Sequence, residues 1–345
     1  MDASNLYTTL TISSIKEEAR DVKIFELEGG PRSYQAGQYL TFVYRDGPSE
    51  VRRSYSLVSA PALGEPPAVG IKRVENGVFS RPLVDHARPG DQLLTTGAGG
   101  FFVLPHDRQS VDQVFFLAAG IGITPIYALL KTALHDWPGL QVVLIYSNAS
   151  PAVTVFYRQL QELAAAFPGR LQVEFLFSNA PDLYRAHLHA DLLVALWKQY
   201  STAPPARQLF YTCGPVNYMR MCTYTLQREG IPEAHIRREN FFPRKAVQRL
   251  LPPDTDPHGV TIYWKQEKIL VPVQYPDTIL QAAKKQGIAL PYSCESGVCG
   301  NCAARCIQGQ VWLSHNEVLT DKERAEGMIL TCTGHAVGGD VVLIV

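Results

Sequence analysis

Short runs of alternating hydrophobic and polar residues, separated by turns, fill the chain from residue 7 to residue 105. Val22 and Ile24, for example, alternate with polar neighbours, as the side chains of half-buried strands do. Turn residues separate the runs at 28–31, 46–48, 76–77 and 89–91. Many short strands with turns this frequent predict an antiparallel β-barrel.

The middle of the chain has a different pattern, in which hydrophobic runs alternate with amphipathic stretches. Gln113–Ala119 is almost entirely hydrophobic, as a strand buried on both faces of a parallel sheet is. Further strands are predicted at Gln141–Tyr146, Leu171–Phe177 and Gln208–Tyr211. Helices are predicted at Val155–Phe167, Leu188–Lys198 and Val216–Glu229. This alternation predicts a doubly wound parallel α/β sheet.

The last part of the chain predicts a third, smaller fold. A hairpin is expected from strands at Val260–Trp264 and Lys268–Val273. A helix at Ile279–Lys285 follows, because Thr278 is a capping residue and Gly287 a stop signal. With a closing strand at Val341–Val345, this is the order of a β-grasp domain.

A cysteine array in this last part carries the most specific chemical signal of the chain. Its members are Cys294, Cys299, Cys302 and Cys332. The first three are spaced C-x4-C-x2-C, the plant-type spacing for a [2Fe–2S] cluster held by four thiolates. One loop can supply three thiolates only if its backbone wraps tightly, and Gly297 and Gly300 allow the positive φ angles that such wrapping requires. Amide groups turned inwards would then donate to the sulfur atoms.

Zinc, disulfides and core packing account for these cysteines less well than a cluster does. Zinc sites favour two CxxC pairs, whereas this array has one. Disulfides suit short secreted chains, which this chain of 345 residues is not. Cysteines that only fill a core would have no reason to lie in a glycine-rich loop. The remaining Cys213, Cys222 and Cys306 are interpreted as thiols, which favours a reducing compartment.

Composition and charge narrow the class of protein. The length predicts two or three domains, and 32 Lys and Arg against 32 Asp and Glu gives no indication of a nucleic-acid partner. The N-terminus lacks the basic start and hydrophobic region of a signal peptide. The longest hydrophobic run, Val114–Ile123, is too short to span a bilayer. We therefore expect a soluble cytoplasmic protein without a membrane partner.

Two motifs in the first third could hold a phosphate-bearing heterocycle. Arg53–Leu57 reads RSYSL, which is also typical of an ordinary strand with one charged residue. Further on, Ile71–Val74 is followed by an Asn-Gly turn and then by Val78–Ser80. A cation on a strand and free amide groups in a turn can together bind a pyrophosphate. An aromatic ring and a hydroxyl beside them could stack on and hydrogen-bond a flat heterocycle.

A glycine turn follows the first strand of the predicted α/β sheet. Gly120–Pro125 reads GIGITP, and the proline suits the first turn of the helix that comes next. A helix N-terminus with an approachable backbone can accept a diphosphate, although glycine turns also occur for packing alone. Cys213 follows another predicted strand, at the sheet edge where α/β folds bind ligands. A buried structural thiol is the alternative there.

Together, these motifs resemble the ferredoxin–NADP reductase superfamily with a C-terminal plant-type ferredoxin domain. The oxygenase reductases, including the reductase components of phenylacetyl-CoA epoxidases, have this arrangement. The resemblance rests on RSYSL and GVFS for the flavin, on the glycine turn and Cys-Gly-Pro for the nicotinamide, and on the cysteine array. It implies FAD rather than FMN, because NGVFS is more similar to the FAD-binding members.

The resemblance also implies roles for individual residues. The catalytic positions would be Ser56, hydrogen-bonded to flavin N5, and Cys213, beside the nicotinamide. Arg53 would meet the pyrophosphate and Tyr55 would flank the isoalloxazine. The implied flavin-binding set is Arg53, Ser54, Tyr55, Ser56, Ile71, Lys72, Val74, Gly77, Val78, Phe79 and Ser80. The implied nicotinamide-binding set is Gly120, Ile121, Gly122, Thr124, Pro125, Ser147, Cys213, Gly214, Pro215 and Met219. The implied metal ligands are Cys294, Cys299, Cys302 and Cys332.

The implied architecture has three domains and a linker. The predicted boundaries are 1–108 for the FAD-binding barrel, 109–243 for the NAD(P)-binding domain, 244–258 for the linker and 259–345 for the ferredoxin-type domain. The implied function is electron transfer from NAD(P)H through FAD to the cluster and on to an oxygenase partner, since a flavin accepts two electrons and releases them singly. A stand-alone NAD(P)H:acceptor reductase is one alternative. A non-catalytic iron–sulfur carrier or redox sensor is the other.

The choice between NADH and NADPH depends on cations near the adenosine ribose. Ser147–Ser150 and Ser178–Ala180, which follow the second and third strands, contain no arginine. Arg158 and Arg185 lie nearby in the sequence and could substitute. Without a paired cation the extra phosphate would be poorly compensated, so the sequence favours NADH.

Overall fold

The computed structural model describes residues 7–29, 33–46, 49–241, 251–265 and 267–345. Parts of the turns predicted at 28–31 and 46–48, and residues 244–250 of the predicted linker, lie outside these ranges. The chain divides into two compact units, the larger made of Thr8–Ala98 and Phe102–Asn240 and the smaller mainly of Phe241–Val345. Within the described residues, no helix is both long and hydrophobic enough to cross a lipid bilayer.

The larger unit begins with a six-stranded antiparallel sheet. Its strands are β1 (Thr8–Ala19), β2 (Val22–Glu28), β3 (Tyr39–Asp46), β4 (Ser49–Ser56), β5 (Ala68–Lys72) and β6 (Gln92–Gly99). They lie in the order β4-β3-β6-β1-β2-β5. An antiparallel bridge between Leu57 and Val69 joins the two edges, which closes the sheet into the predicted barrel. Phe25, Leu40 and Phe42 are fully buried in its core, and helix α1 (Ser80–His86) follows β5.

The rest of the larger unit is a parallel five-stranded sheet with helices. Its strands are β7 (Gln113–Ala119), β8 (Gln141–Asn148), β9 (Leu171–Phe177), β10 (Gln208–Cys213) and β11 (Ile236–Glu239), in the order β11-β10-β7-β8-β9. Its helices are α2 (Ile123–Asp136), α3 (Tyr157–Ala166), α4 (Leu183–Ala186), α5 (Ala190–Tyr200) and α6 (Val216–Arg228). The rings of Phe115 and Phe210 stack with their centroids 5.0 Å apart and pack against side chains of α5 and α6. Helix α2 also packs on this sheet, where it contacts β7, β8 and β10. This is the predicted doubly wound α/β sheet.

The smaller unit contains a mixed five-stranded sheet. Its strands are β12 (His258–Trp264), β13 (Glu267–Val273), β14 (Ala303–Leu313), β15 (Met328–Leu330) and β16 (Gly334–Ile344), in the order β13-β12-β16-β14-β15. Its helices are α7 (Ile279–Lys285) and α8 (Asp321–Ala325). The predicted hairpin forms between β12 and β13, and β16 closes the sheet parallel to β12. His258, predicted as the last linker residue, is the first residue of β12 because its backbone pairs with Val273.

Candidate functional site

The flavin motif Arg53–Ser56 lies at the end of β4, next to β3. Ser56 is 3% exposed, and its hydroxyl has no hydrogen-bond partner in the described part of the chain. A buried hydroxyl left without a partner costs about 1–3 kcal/mol. The position therefore suits a hydroxyl whose partner is a bound ligand, as the assignment to flavin N5 requires. Ser54 is turned to a neighbouring strand, since its hydroxyl lies 2.9 Å from that of Thr41.

Aromatic rings connect the end of β4 to the turn before α1. The Tyr55 ring lies 5.9 Å from that of Phe79 and 6.0 Å from that of Phe42, centroid to centroid. Burial raises the pKa of the Tyr55 hydroxyl far above its ordinary value, so the side chain is neutral. The structure thus brings two predicted flavin residues, Tyr55 and Phe79, into one aromatic cluster.

The turn that follows β5 uses some of its own polar groups. The Gly77 amide donates to the Val74 carbonyl at 2.9 Å, and the Val74 amide donates to Ser80 Oγ at 3.3 Å. The Gly77 amide is therefore not free for a phosphate, contrary to the expectation from the Asn-Gly turn. A Cβ at Gly77 would lie 2.3 Å from Ser80 Oγ, which explains the glycine. The Ile71 side chain is fully buried in the barrel core, so this residue can offer a ligand only its backbone.

Three side chains hold the glycine turn after β7. The Tyr146 hydroxyl donates to the Gly120 carbonyl at 3.0 Å, and the Thr124 hydroxyl donates to the Ile121 carbonyl at 2.9 Å. The Tyr218 hydroxyl donates to the Ala118 carbonyl, at the end of β7, at 3.2 Å. Gly120 has a φ of 55°, and the turn leads directly into α2. The Ile123 amide donates to carbonyls within the turn, and Pro125 has no amide hydrogen. What favours an anionic group here is therefore the partial positive charge of the helix N-terminus.

The turns after β7 and β10 lie in direct contact. A Cβ at Gly122 would lie 2.1 Å from the Cys213 carbonyl oxygen and 2.8 Å from the Gly214 nitrogen. Only glycine at position 122 allows this approach. Ser147 reaches the same sheet edge, because it pairs with Ala119 at the ends of β8 and β7. Pro215 then precedes α6, in which Met219 is buried.

Cys213 and Glu239 are neighbours at this edge, in register on β10 and β11. Both are buried, at 0% and 6% exposure. Burial raises the pKa of the Cys213 thiol, and it raises the pKa of the Glu239 carboxyl to about 8. The sequence pattern gives no sign of Glu239, because β11 is short and polar and its burial depends on distant parts of the chain. A buried carboxyl of raised pKa beside a ligand-binding edge is a functional candidate.

The two arginines considered for a 2′-phosphate both have acidic partners. Arg185 forms an ion pair with Glu174, whose other oxygen accepts from the Tyr200 hydroxyl at 2.7 Å. Arg158 lies 3.4 Å from Glu162 one helical turn away. The Arg185 pair is partly buried, whereas the Arg158 pair is exposed and therefore weak.

The four array cysteines converge in the smaller unit. Hydrogen bonds from the Cys299 and Cys332 thiols lower the pKa of Cys294, and hydrogen bonds to Cys294 and Cys302 raise the pKa of Cys332. All seven cysteines of the chain are free of disulfides. No group of three or more His, Cys, Asp or Glu side chains in the described ranges is placed to hold a single metal ion. A two-iron cluster needs only two protein ligands on each iron.

The loop that carries Cys294, Cys299 and Cys302 has the expected backbone. Gly297 and Gly300 have φ angles of 77° and 76°, and a Cβ at Gly297 would lie 2.6 Å from the His315 carbonyl oxygen. The Ser296 amide donates to Cys294 Sγ at 3.4 Å. Such amide–sulfur bonds stabilise anionic thiolates. The loop and Cys332 therefore fit a [2Fe–2S] cluster in ligand number and ligand chemistry, and the Ser296 amide supplies a bond to one of the sulfur atoms.

Known proteins show the same three modules in the same order. Family models match residues 9–103 as an oxidoreductase FAD-binding domain, 116–223 as an oxidoreductase NAD-binding domain and 262–337 as a 2Fe-2S iron-sulfur cluster binding domain. A component of 1,2-phenylacetyl-CoA epoxidase from Escherichia coli (strain K12) is 30% identical over 354 residues, which cover 98% of this chain and 97% of the relative. The chain belongs to this family of ferredoxin–NADP reductase-like proteins.

Other oxygenase reductases are similar to this chain over nearly its whole length. The ferredoxin reductase component of 3-ketosteroid-9-alpha-monooxygenase from Mycolicibacterium smegmatis (strain ATCC 700084 / mc(2)155) is 32% identical over 350 residues, covering 96% of this chain and 95% of the relative. The solved structure of phthalate dioxygenase reductase superposes with a TM-score of 0.61 at 23% identity, covering 99% of both chains. Its fold matches the succession of barrel, α/β sheet and iron–sulfur domain. The protein is an NAD(P)H-dependent oxidoreductase that uses FAD and a [2Fe–2S] cluster.

Proposed function

We propose that this reductase takes a hydride from NADH and passes single electrons to an oxygenase component. The main support is the presence of all three modules in one chain that matches oxygenase components along nearly their whole length. FAD, when bound, supplies the exchange between the two-electron donor and the one-electron metal centre. We also propose domain boundaries at 108 and 243, with the ferredoxin-type domain starting at His258, and a cytoplasmic location that suits a chain without disulfides.

At the flavin end, the proposed roles follow from the contacts of β4. The Ser56 hydroxyl, which lacks a protein partner among the described residues, hydrogen-bonds flavin N5. Tyr55 and Phe79 provide apolar surface for the ring system, and Arg53 provides positive charge for the pyrophosphate. Of the remaining flavin residues, Ser54 supports β4 through its contact with Thr41, whereas the others shape β5 and the turn before α1.

At the nicotinamide end, the turns after β7 and β10 provide the binding surface. The N-terminus of α2 binds the diphosphate, and Gly122 permits the close approach of Cys213. Cys213 and the neutral Glu239 lie at the nicotinamide ring, where they exclude water and orient the ring towards the flavin. None of these groups exchanges a proton in hydride transfer itself.

The preference for NADH is supported by the pairing of the nearby arginines. Glu174 holds Arg185 in a partly buried ion pair, which a 2′-phosphate would have to break, whereas the Arg158–Glu162 pair is exposed and weak. The turns after β8 and β9, where a 2′-phosphate would be bound, contain no arginine. An unpaired phosphate charge lowers affinity. NADPH should therefore bind less tightly than NADH.

A coupled assay tests the oxygenase proposal. The reductase is mixed with the oxygenase components of its relatives' systems, those of 1,2-phenylacetyl-CoA epoxidase and 3-ketosteroid-9-alpha-monooxygenase, and NADH oxidation is followed with and without the substrate of each oxygenase. We expect oxidation that depends on both the oxygenase and the substrate in wild type, and none above background in Cys299→Ser. Oxygenase turnover that continues at the wild-type rate in a cluster-free Cys299→Ser protein would contradict the proposed route.

A further inference from the structure

Helix α2 contacts the flavin-binding barrel as well as the α/β sheet. At its N-terminus, a Cβ on Gly70 of β5 would lie 2.6 Å from Thr124 Cγ2. In the middle, a Cβ on Gly37 would lie 2.8 Å from Leu129 Cδ2. Lys131, one turn before the end of α2, forms an ion pair with Glu65 in the loop after β4. The helix that begins at the glycine turn is therefore fixed to the barrel along its length.

The Lys131–Glu65 pair is largely removed from solvent. The side chain of Lys131 is 10% exposed and that of Glu65 is 31% exposed. The ammonium group also lies 4.5 Å from the centroid of the Tyr127 ring, which stacks on Phe156 at 4.1 Å. A charged group this buried tolerates few positions, because moving it away from its partner leaves it without compensation. The pair therefore fixes the position of α2 relative to the barrel loop that carries Glu65.

Glu65 is in turn bonded to the loop that follows the flavin motif. Its carboxylate accepts the Ala60 amide at 2.7 Å, four residues after Ser56. The Ser59 hydroxyl accepts the Ala68 amide at 2.9 Å and lies 2.7 Å from the Tyr34 hydroxyl. The loop between β4 and β5 is therefore held at several points. A series of contacts therefore runs from the loop that follows Ser56 through Glu65 to Lys131 on α2.

We propose that the Lys131–Glu65 ion pair is a positioning element that fixes the nicotinamide-binding turn against the flavin-binding strand for hydride transfer. This inference rests on the proposed function, in which the two rings meet between Ser56 and Cys213. Hydride transfer requires reacting atoms at near-contact distance, and a misplacement of about 1 Å can lower the rate about 10²-fold. A second contact joins the barrel to the α/β sheet region: the Gln159 amide on α3 donates to Glu18 on β1 at 2.6 Å. This contact should keep the two parts together when the ion pair is lost, but it does not involve α2.

The test compares Lys131→Met and Glu65→Gln with wild type and with Arg207→Gln. Arg207 pairs with Asp112 within the α/β sheet region, so its loss removes an ion pair without affecting the barrel contact. The FAD-loaded proteins are mixed anaerobically with saturating NADH, or with NADH deuterated at the transferred position, in a stopped-flow instrument. Flavin content, NAD⁺ affinity and melting temperature are measured on the same preparations.

We expect the rate of flavin reduction to fall about tenfold or more in both pair variants, with FAD content and NAD⁺ affinity within about twofold of wild type. The deuterium isotope effect should rise, because the hydride step becomes more limiting. Amide exchange in residues 58–68 of the FAD-free proteins should increase about tenfold on loss of the pair, and remain as in wild type in Arg207→Gln. Rates within twofold of wild type in both pair variants would overturn the inference.

A double variant separates positioning from stability. Replacing a buried ion pair by apolar residues often restores stability, so Lys131→Met with Glu65→Leu should melt near the wild-type temperature yet reduce flavin slowly. A double variant that recovers both stability and rate would show that packing alone sets the geometry and would overturn the role of the pair. Wild type is also mixed with NADPH in the same instrument. If neither NADH nor NADPH reduces the wild-type flavin, the proposed function fails, and this outcome is distinct from slow reduction in the pair variants alone.

Discussion

At the scale of single residues, the flavin end of the site depends on a hydroxyl that the described part of the protein leaves without a partner. Ser56 Oγ is buried at the end of β4, whereas the Ser54 hydroxyl two residues earlier lies beside Thr41. Burying an unsatisfied hydroxyl has a cost that a structural residue could avoid as alanine. The serine is therefore best explained by a ligand atom.

Replacing Ser56 by alanine should slow hydride transfer more than it changes stability. Removal of one hydrogen-bond donor at a reacting centre costs about 10²-fold in rate. We expect a loss of this order in the rate of flavin reduction by NADH, with FAD still bound and the melting temperature equal or higher. Thr95→Val is the control, because this buried hydroxyl has a partner, the Thr41 carbonyl at 2.8 Å. The reverse pattern, in which Thr95→Val slows reduction and Ser56→Ala does not, would contradict the assignment.

The four array cysteines differ from Cys306 in what their sulfur atoms contact. Cys306 lies on β14 with its sulfur directed to the Gln308 carbonyl at 3.4 Å. We therefore predict that Cys299→Ser loses the cluster but keeps NADH–ferricyanide activity, because ferricyanide can take electrons from the flavin. Cys306→Ser should keep both. Iron content and the visible spectrum provide the measurement. Loss of iron in Cys306→Ser, or its retention in Cys299→Ser, would show that the ligand set is wrong.

Glu239 makes stability depend on pH in a direction that can be worked out. Burial raises its pKa from an ordinary 4.5 to about 8, so the folded protein keeps a proton that the unfolded chain releases. Between these values stability falls as pH rises, by about 1.4 kcal/mol per pH unit at most, and it levels off above the folded pKa. Glu239→Gln, which stays neutral, should therefore gain stability relative to wild type from pH 5 to pH 8.

Melting temperatures across this pH range provide the check, with the exposed Glu162→Gln as control. The difference between Glu239→Gln and wild type should grow with pH, whereas that of Glu162→Gln should stay small. A constant difference for Glu239→Gln would mean that the carboxyl is ionised throughout.

At the scale of elements, the sequence predicts the boundaries of a helix or strand well where residues at its own ends determine them. Helix α7 occupies the predicted residues, because Thr278 and Gln281 form a capping box and Gly287 adopts a φ of 72° after it. Helix α3 starts later than predicted, since Phe156 has a φ of 59° that an α-helix cannot contain. Strand β11 was missed because only its pairing with β10 makes the sequence IRRE a strand. Helix α1 was missed because no side chain caps its N-terminus.

The contact between the two turns of the α/β sheet leads to a prediction at this scale. A methyl group at Gly122 would collide with the Cys213 backbone, which cannot move aside as a flexible side chain would. Gly122→Ala should therefore destabilise the protein by about 1–3 kcal/mol and weaken NAD⁺ binding. Gly139→Ala is the matched control, because a Cβ there meets no described atom within 4 Å. Thermal melting and NAD⁺ titration measure both effects. Equal behaviour of the two variants would contradict the close approach.

At the scale of the whole molecule, the order of modules gives the chain its chemistry. A closed barrel, a parallel α/β sheet and a β-grasp sheet follow one another, and each contains one predicted motif near the end of a strand or in a tight loop. The motifs and their order were predictable because ligand chemistry restricts the residues that can serve. The contacts that fix one element to another, such as Lys131 with Glu65 or Cys213 with Glu239, were not predictable, since they join residues far apart in sequence.

The most direct test of the central claim is the anaerobic addition of NADH to protein reconstituted with FAD, iron and sulfide. The account predicts that the flavin and cluster absorption bands both bleach, the cluster band after the flavin band, with no other protein present. An unchanged spectrum, or bleaching of the flavin while the cluster stays oxidised, would contradict electron transfer from NADH through FAD to the cluster within this chain.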